Sequence, residues 1–270
     1  MGEYHNQTIR ERYGEWKRKN GARAFSYINS TLGVVFSLFM FIALLAMVVF
    51  LPPFGDPENP SNNEVSQRYI EQGLDETGAV NIVAGMILDY RGFDTFGESC
   101  VLFVAVCAVL ALLRREGRDA FDELLHGMEE STHDVILIQI SRIIAPMIAV
   151  FGLYVIVNGH LTPGGGFSGG AILGSAMILF VCSFGTKEAR RVFSYDSCRR
   201  MMTGALLFYA VIKGYAIFAG ANGYPIPLPM GTPGNIFSAG LLLPLNLAVG
   251  IIVAYTMYIL YILFSKGEMQ

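Results

Sequence analysis

Charge is scarce in this chain. Of its 270 residues only 15% are Asp, Glu, Lys or Arg, against 53% that are hydrophobic. With a positive mean hydropathy, that proportion lies outside the range of water-soluble globular domains and inside that of membrane proteins. Cysteine is scarce too. The four (Cys100, Cys107, Cys182 and Cys198) show no Cys-x-x-Cys spacing and lie in or beside apolar runs. This argues against a zinc site and a disulfide scaffold and reads them as small core residues. No serine, cysteine or histidine has the spacing of a nucleophile with its base, so covalent catalysis has no candidate. No internal repeat or low-complexity tract is visible, so a transporter built from matching inverted halves gains no support.

What the chain does have is long apolar runs, at 31–51, 98–113, 135–157, 167–184, 202–220 and 237–264. A membrane span needs about 20 mostly apolar residues. The expected fold class is therefore all-α, a polytopic membrane protein of about six transmembrane helices. The first run follows a polar arm of 30 residues and ends at Pro52-Pro53 without a small-residue cleavage site, so it reads as a retained helix and not a signal peptide. Orientation follows the Lys/Arg bias of the short loops. With the N-terminus inside, 16 of the 19 basic residues are cytoplasmic, including the arm, the 114–118 cluster, Arg142, the 187–200 loop and Lys266. Only Arg68 and Arg91 fall outside, and Lys213 lies in a span. The apolar piece 79–88 is too short to cross, and crossing there would invert the 114–118 arginines. Segment 79–93 is thus expected as a short helix dipping into the outer leaflet and packed against protein, because lipid cannot satisfy free backbone groups. The resulting division is a cytoplasmic arm at 1–30, a two-span domain at 31–118, a cytoplasmic linker at 119–134 and a four-span domain at 135–270, N-in and C-in.

Polar residues collect at three places in this apolar background. Asp89, Arg91, Asp94 and Glu98 lie within ten residues of one another, with Asp94 and Glu98 one helical turn apart. Thr95-Phe-Gly-Glu98 also fits a capping box, with Thr95 as N-cap and Glu98 folding back onto exposed amides. A carboxylate there can cap and also bind a proton or a sodium ion. The second place is Asn158-Gly-His160-Leu-Thr-Pro163-Gly164-Gly165-Gly166-Phe-Ser-Gly169-Gly170. No Lys-Ser/Thr follows these glycines and no strand precedes them, which argues against a nucleotide. The glycines permit close backbone approach, and Gly170-x-x-x-Gly174 continues a small-residue face suited to tight helix packing. His160 is the one residue of this loop able to relay a proton, and it serves equally as a structural donor. Third, Lys213 lies near the middle of its span with no acid in the same apolar run. A charge in hydrocarbon costs roughly 2.5–3.5 kcal/mol on insertion scales, so such residues are kept mainly where ions pass. The structural alternative is a lysine that snorkels to an interface or pairs with a carboxylate of a neighbouring protein. Pro244 and Asn246 in the last span point to a helix break that leaves a polar group beside a pathway.

Two of these stretches carry a resemblance. Gly159-His-Leu-Thr-Pro-Gly-Gly-Gly-Phe-x-Gly-Gly170 resembles the signature of the B-type component of Mrp-type multisubunit sodium/proton antiporters, and four spans over 135–264 agree with that domain. Asn81-x-x-x-x-x-Ile-Leu-Asp-Tyr-Arg-Gly-Phe-Asp-Thr-Phe-Gly-Glu98 is similar to the C-terminal end of the large A-type component of the same antiporters. That piece also occurs as a small, separate E-type component in energy-converting membrane-bound hydrogenases and related sulfur-reducing complexes. The resemblance implies that Glu98 is the motif glutamate near an ion path, and that His160 and Pro163 are the histidine and proline of the glycine-rich loop. The long helix bundle of the A-type component is missing, which favours a module inside a respiratory complex over a free-standing antiporter.

The expected function is a non-catalytic membrane subunit that helps form a sodium or proton path. The ion-path candidates are Asp89, Asp94, Glu98, His160 and Lys213. Arg91, Thr95, Pro163, the loop glycines, Pro244 and Asn246 hold the structure. No metal or cofactor is expected on this chain, with Na+ and H+ as the transported ions. Expected partners are A-, C-, D-, E-, F- and G-like membrane subunits, a hydrogenase or related redox arm and the bilayer of the cytoplasmic membrane, with no nucleic acid. The competing reading is a structural scaffold of a free-standing Mrp antiporter, in which Glu98 is a cap and the glycines are packing.

Overall fold

The computed structural model of the chain describes residues 2–57, 59–113, 135–224 and 229–265, and these are largely helical, with no strand among them. The 114–118 arginines, the 119–134 linker and Lys266 lie outside the described residues. Six helices are long and apolar enough to cross a membrane. The chain forms two units, 1–63 and 64–270.

The first unit is built on α1, Gly2–Val49. No proline interrupts it before Pro52-Pro53, so the polar arm and the span form one helix and the apolar part starts at Phe25. Its apolar side chains, Phe36, Phe39 and Leu45 among them, are exposed all round. A helix with no polar face is one whose surroundings are lipid or other helices.

The second unit begins with α2 (Glu64–Glu71), α3 (Gly73–Thr77) and α4 (Ile82–Gly85), which runs into a π-helical turn at Met86–Tyr90. The crossing helices follow as α5 (Gly92–Leu113), α6 (Val135–Val157), α7 (Gly166–Val192), α8 (Tyr195–Asn222) and α9 (Leu242–Phe264). The ends are set by local chemistry. Asn81 caps α4 by accepting from the amides of Val83 and Ala84, and Ser194 caps α8 by accepting from Ser197. At the other end of α8, Gly223 takes the left-handed conformation at φ 69°. Within α7, Gly185 is non-helical at φ 80°, ψ 166°, and the helix bends there.

Helix α9 is the centre of this unit, packed against α5, α7 and α8. Leu245, Ile252, Tyr258 and Ile259 on α9 and Met202 and Tyr209 on α8 are sealed in the core. Two expectations are corrected here. Pro244 does not break the last span, because α9 starts at Leu242 and places Pro244 in its first turn, where a missing N–H leaves no helical bond unmade. The cysteines are not all core residues: Cys198 is buried and Cys100 half-buried, but Cys107 and Cys182 are exposed, Cys182 with its Sγ 3.0 Å from the Tyr261 hydroxyl of α9.

Candidate functional site

The π-helical turn is the feature from which the site is built. Arg91 donates its amide to the Met86 carbonyl at 2.8 Å, five residues back, which widens the helix by one residue and ends it. The widened turn frees carbonyls, and side chains collect them. Thr95 donates its hydroxyl to the Ile87 carbonyl at 2.6 Å, and Tyr209 on α8 donates to the Gly92 carbonyl at 2.9 Å. Thr95 is therefore not an N-cap. Helix α5 already begins at Gly92, three residues earlier, and Thr95 works inside it as a buried clamp on the preceding turn. On the far side of the turn, Glu76 binds both Arg68, at 2.6 Å, and the Tyr90 hydroxyl. The Arg68 hydrogen bond, followed by that of Tyr90, holds the Glu76 carboxyl below its usual range. This contact is present at neutral pH and is lost as pH falls through the lowered value.

Lys213 reaches the turn from α8. Its ammonium lies 3.3 Å from the Asp89 carboxylate and 3.5 Å from the Asp89 carbonyl. The lysine side chain is 7% exposed and the aspartate 40%. Lys213 stands nine residues before the end of α8, about 14 Å along the axis at 1.5 Å per residue, which is mid-depth in a hydrocarbon core of about 30 Å. Gly92 makes the approach possible, since a Cβ there would lie 2.3 Å from Lys213 Cε and 2.6 Å from Nζ. The partner of the lone lysine is thus an acid of this same chain, 124 positions away in sequence and adjacent in space. Two of the three polar groups meet.

The other candidates are placed apart from this pair. Asp94 forms an exposed ion pair with Arg91 at 2.5 Å. Glu98 is exposed on α5, on the face that also exposes Val101 and Val104, and makes no ion pair among the described residues. His160 is fully buried, with Nε2 3.3 Å from the Asn235 carbonyl and Nδ1 without a partner among the described residues. It makes no bond to Asp89 or Lys213.

The glycine-rich loop is tied to the N-terminal part of the unit by Asn81. Its Nδ2 donates to the carbonyls of Gly159 at 2.9 Å and Thr162 at 3.0 Å, and its amide donates to the His160 carbonyl at 3.0 Å. Pro163 and Gly164 are exposed at the tip, whereas Gly165, Gly166, Gly169 and Gly170 are buried. Gly166 opens α7, and its amide donates to the side-chain oxygen of buried Asn246 at 2.9 Å. Asn246→Leu strands that buried amide, at an expected cost of about 1–3 kcal/mol, readable as a fall in thermal unfolding temperature of the purified protein. Asn81 opens the motif that resembles the A-type component and is a capping residue directly before an apolar run, but its role in tying down the glycine-rich loop is not among the sequence expectations. Tyr209 carries no such signal, being one of 13 tyrosines.

Comparison with known proteins gives two family matches. A family described as a domain related to the MnhB subunit of Na+/H+ antiporter matches residues 136–259, and the MbhE family, a component of MBH, matches residues 34–128. An uncharacterised protein of Methanocaldococcus jannaschii is 31% identical over 196 residues, covering 63% of this chain and 71% of its own length. A probable K+/H+ antiporter protein of Rhizobium meliloti, of combined A/B type, is 28% identical over 184 residues, 62% of this chain but 18% of that longer protein. Among solved structures, a chain of the membrane-bound sulfane sulfur reductase, an archaeal respiratory membrane complex, superposes with a TM-score of 0.70 at 28% identity, covering 87% of this chain and 97% of that one.

Proposed function

Because this chain belongs to the family of its Methanocaldococcus jannaschii relative, and joins an MnhB-related domain to an MbhE domain as a membrane subunit of an antiporter-type module, we propose that it lines part of a sodium or proton path. The observation that carries this reading is the pairing of buried Lys213, at mid-depth of a crossing helix, with Asp89 of an interrupted helix. Unpaired intramembrane charge is costly, and a π-turn that presents an acid to a buried lysine is a local distortion of the kind found at functional sites.

Asp89 and Lys213 form the core of the path, and His160, in the glycine-rich loop, is a separate station on it. Glu98 faces away from the fold, so a neighbouring protein of the complex covers it and completes the path there. The chain does no chemistry itself; oxidation and reduction, in a complex that performs them, belong to its other subunits. We place it in the membrane arm of an energy-converting respiratory complex, a reading supported by the likeness to the sulfane sulfur reductase chain over nearly that chain's whole length. A hydrogenase arm, the other antiporter-type subunits, the cytoplasmic membrane and the division at 31–118 and 135–270 belong to the same proposal. So do the N-in orientation and the dip of segment 79–93, which the Lys/Arg bias supports.

The test is Glu98→Gln in the assembled complex. Sodium-dependent proton flux in vesicles is expected to fall at least tenfold with yield unchanged. Lower yield with unchanged flux per assembled particle would instead establish the scaffold reading.

A further inference from the structure

A cleft of about 580 Å³ opens between α6, α7 and α9, in a part of the unit that the ion-path reading does not use. Phe180 and Phe184 of α7, Phe193 of the α7–α8 turn and Tyr255 of α9 form its walls, and small residues such as Ala176 and Ala254 make the room. Among the described residues its lining holds one charge, Arg142 of α6. Arg142 stands seven residues, about 10 Å, inside the start of α6, and among the described residues it makes no ion pair. Ser141, Arg142, Phe184, Phe193 and Met201 lie toward the same ends of the helices, near the start of α6, the bend and end of α7 and the start of α8, and the cleft runs from there to Leu173 and Ile251 nearer the helix middles.

Arg142 is exposed, and an anion beside it would offset the cost of a charge at that depth. No acidic side chain among the described residues lines the cleft, so it is open to an anion from outside the chain. The volume suits one small-molecule ligand, within the usual range of about 300–1,000 Å³. It matches little more than a single turn of a helix about 10 Å across, too little to seat a crossing helix of a partner. A second, shallower cleft adjoins it through the shared Met201 and Ile251 and is lined by Arg200. Two apolar grooves with a guanidinium at each fit a two-chained amphiphile with an acidic head, and basic pockets between helices on the cytoplasmic side bind such headgroups.

We propose that this cleft binds an anionic phospholipid of the cytoplasmic leaflet, with one acyl chain held between the aromatic walls and its phosphate on Arg142. The leaflet rests on the N-in orientation proposed above; the site itself does not depend on the ion path.

The experiment measures co-purified lipid by native mass spectrometry after the complex is reconstituted in nanodiscs of phosphatidylglycerol and phosphatidylcholine. Wild type should retain about one phosphatidylglycerol per chain, enriched at least fivefold over its share of the disc. Arg142→Gln should lose that enrichment, Arg142→Lys should keep part of it, and Ala176→Phe, which fills the cleft, should lose it with Arg142 intact. Retention unchanged in Arg142→Gln would overturn the proposal. So would a wild type without enrichment, whatever the variants do. Because lipid is read and not flux, a failed Glu98 test leaves this result standing.

Discussion

Asp89→Asn destabilises the assembled protein more than Lys213→Met, and the double variant recovers most of the loss. The asymmetry follows from burial. Removing the acid leaves an ammonium that is 7% exposed with no counter-charge, whereas removing the lysine leaves a carboxylate that is 40% exposed. Breaking a fully buried pair from one side costs about 3–5 kcal/mol, so a pair whose acid is 40% exposed loses less than that, and replacing both partners by neutral groups of similar shape is often close to neutral. The expected order of thermal unfolding temperature in detergent is wild type, then the double variant, then Lys213→Met, with Asp89→Asn lowest. Flux separates the roles. On the ion-path reading all three variants lose sodium-dependent proton transport per assembled complex, at least tenfold, although the double variant is stable. A double variant that regained both stability and flux would show that the pair serves packing alone.

Gly170→Ala should cost about 1–3 kcal/mol, as is usual for an added methylene in a filled core, and Gly170→Leu should prevent recovery of folded protein. A Cβ at Gly170 would lie 2.7 Å from the Gly250 carbonyl oxygen, 2.9 Å from Val253 Cβ and 3.0 Å from Gly250 Cα. Two of these are backbone atoms of α9, so neither helix can yield by turning a side chain. Gly166 and Gly174 meet α9 in the same way one turn to either side, at the Asn246 carbonyl oxygen and at Met257 and Ala254. The stripe is therefore the seam along which α7 and α9 approach, as small residues do in membrane interiors. Gly204 on α8 is the control, since a Cβ there would meet nothing within 4 Å. Gly204→Ala should leave the unfolding temperature unchanged or raise it slightly, because alanine favours a helix over glycine by about 1 kcal/mol. Equal losses at both positions would contradict the seam.

How much of this is legible in the sequence depends on the range of the interaction. The six crossing helices follow from runs of apolar residues, a property read within some twenty positions, and the structure shifts mainly their ends. Helix α8 extends back to Tyr195 because Ser194 caps it there, and α9 starts at Leu242 because the preceding chain turns through Ala239 and Gly240, both with positive φ. Thr95 shows where local pattern misleads. Its spacing to Glu98 fits a capping box, but the π-turn before it moves the helix start to Gly92 and gives its hydroxyl another carbonyl to serve.

By its sequence alone this chain is a multi-pass helical membrane protein with charge kept at a few places, because the cost of polar groups in hydrocarbon falls on each residue separately and leaves its mark in composition. Which of those charges meet is decided only by the tertiary structure. Asp89 and Lys213 are 124 positions apart, and their contact requires a widened turn, a glycine at position 92 with no side chain in the way, and a packing of α5, α8 and α9 that brings them together. Pairing over that span depends on three-dimensional packing, and no window along the chain contains it.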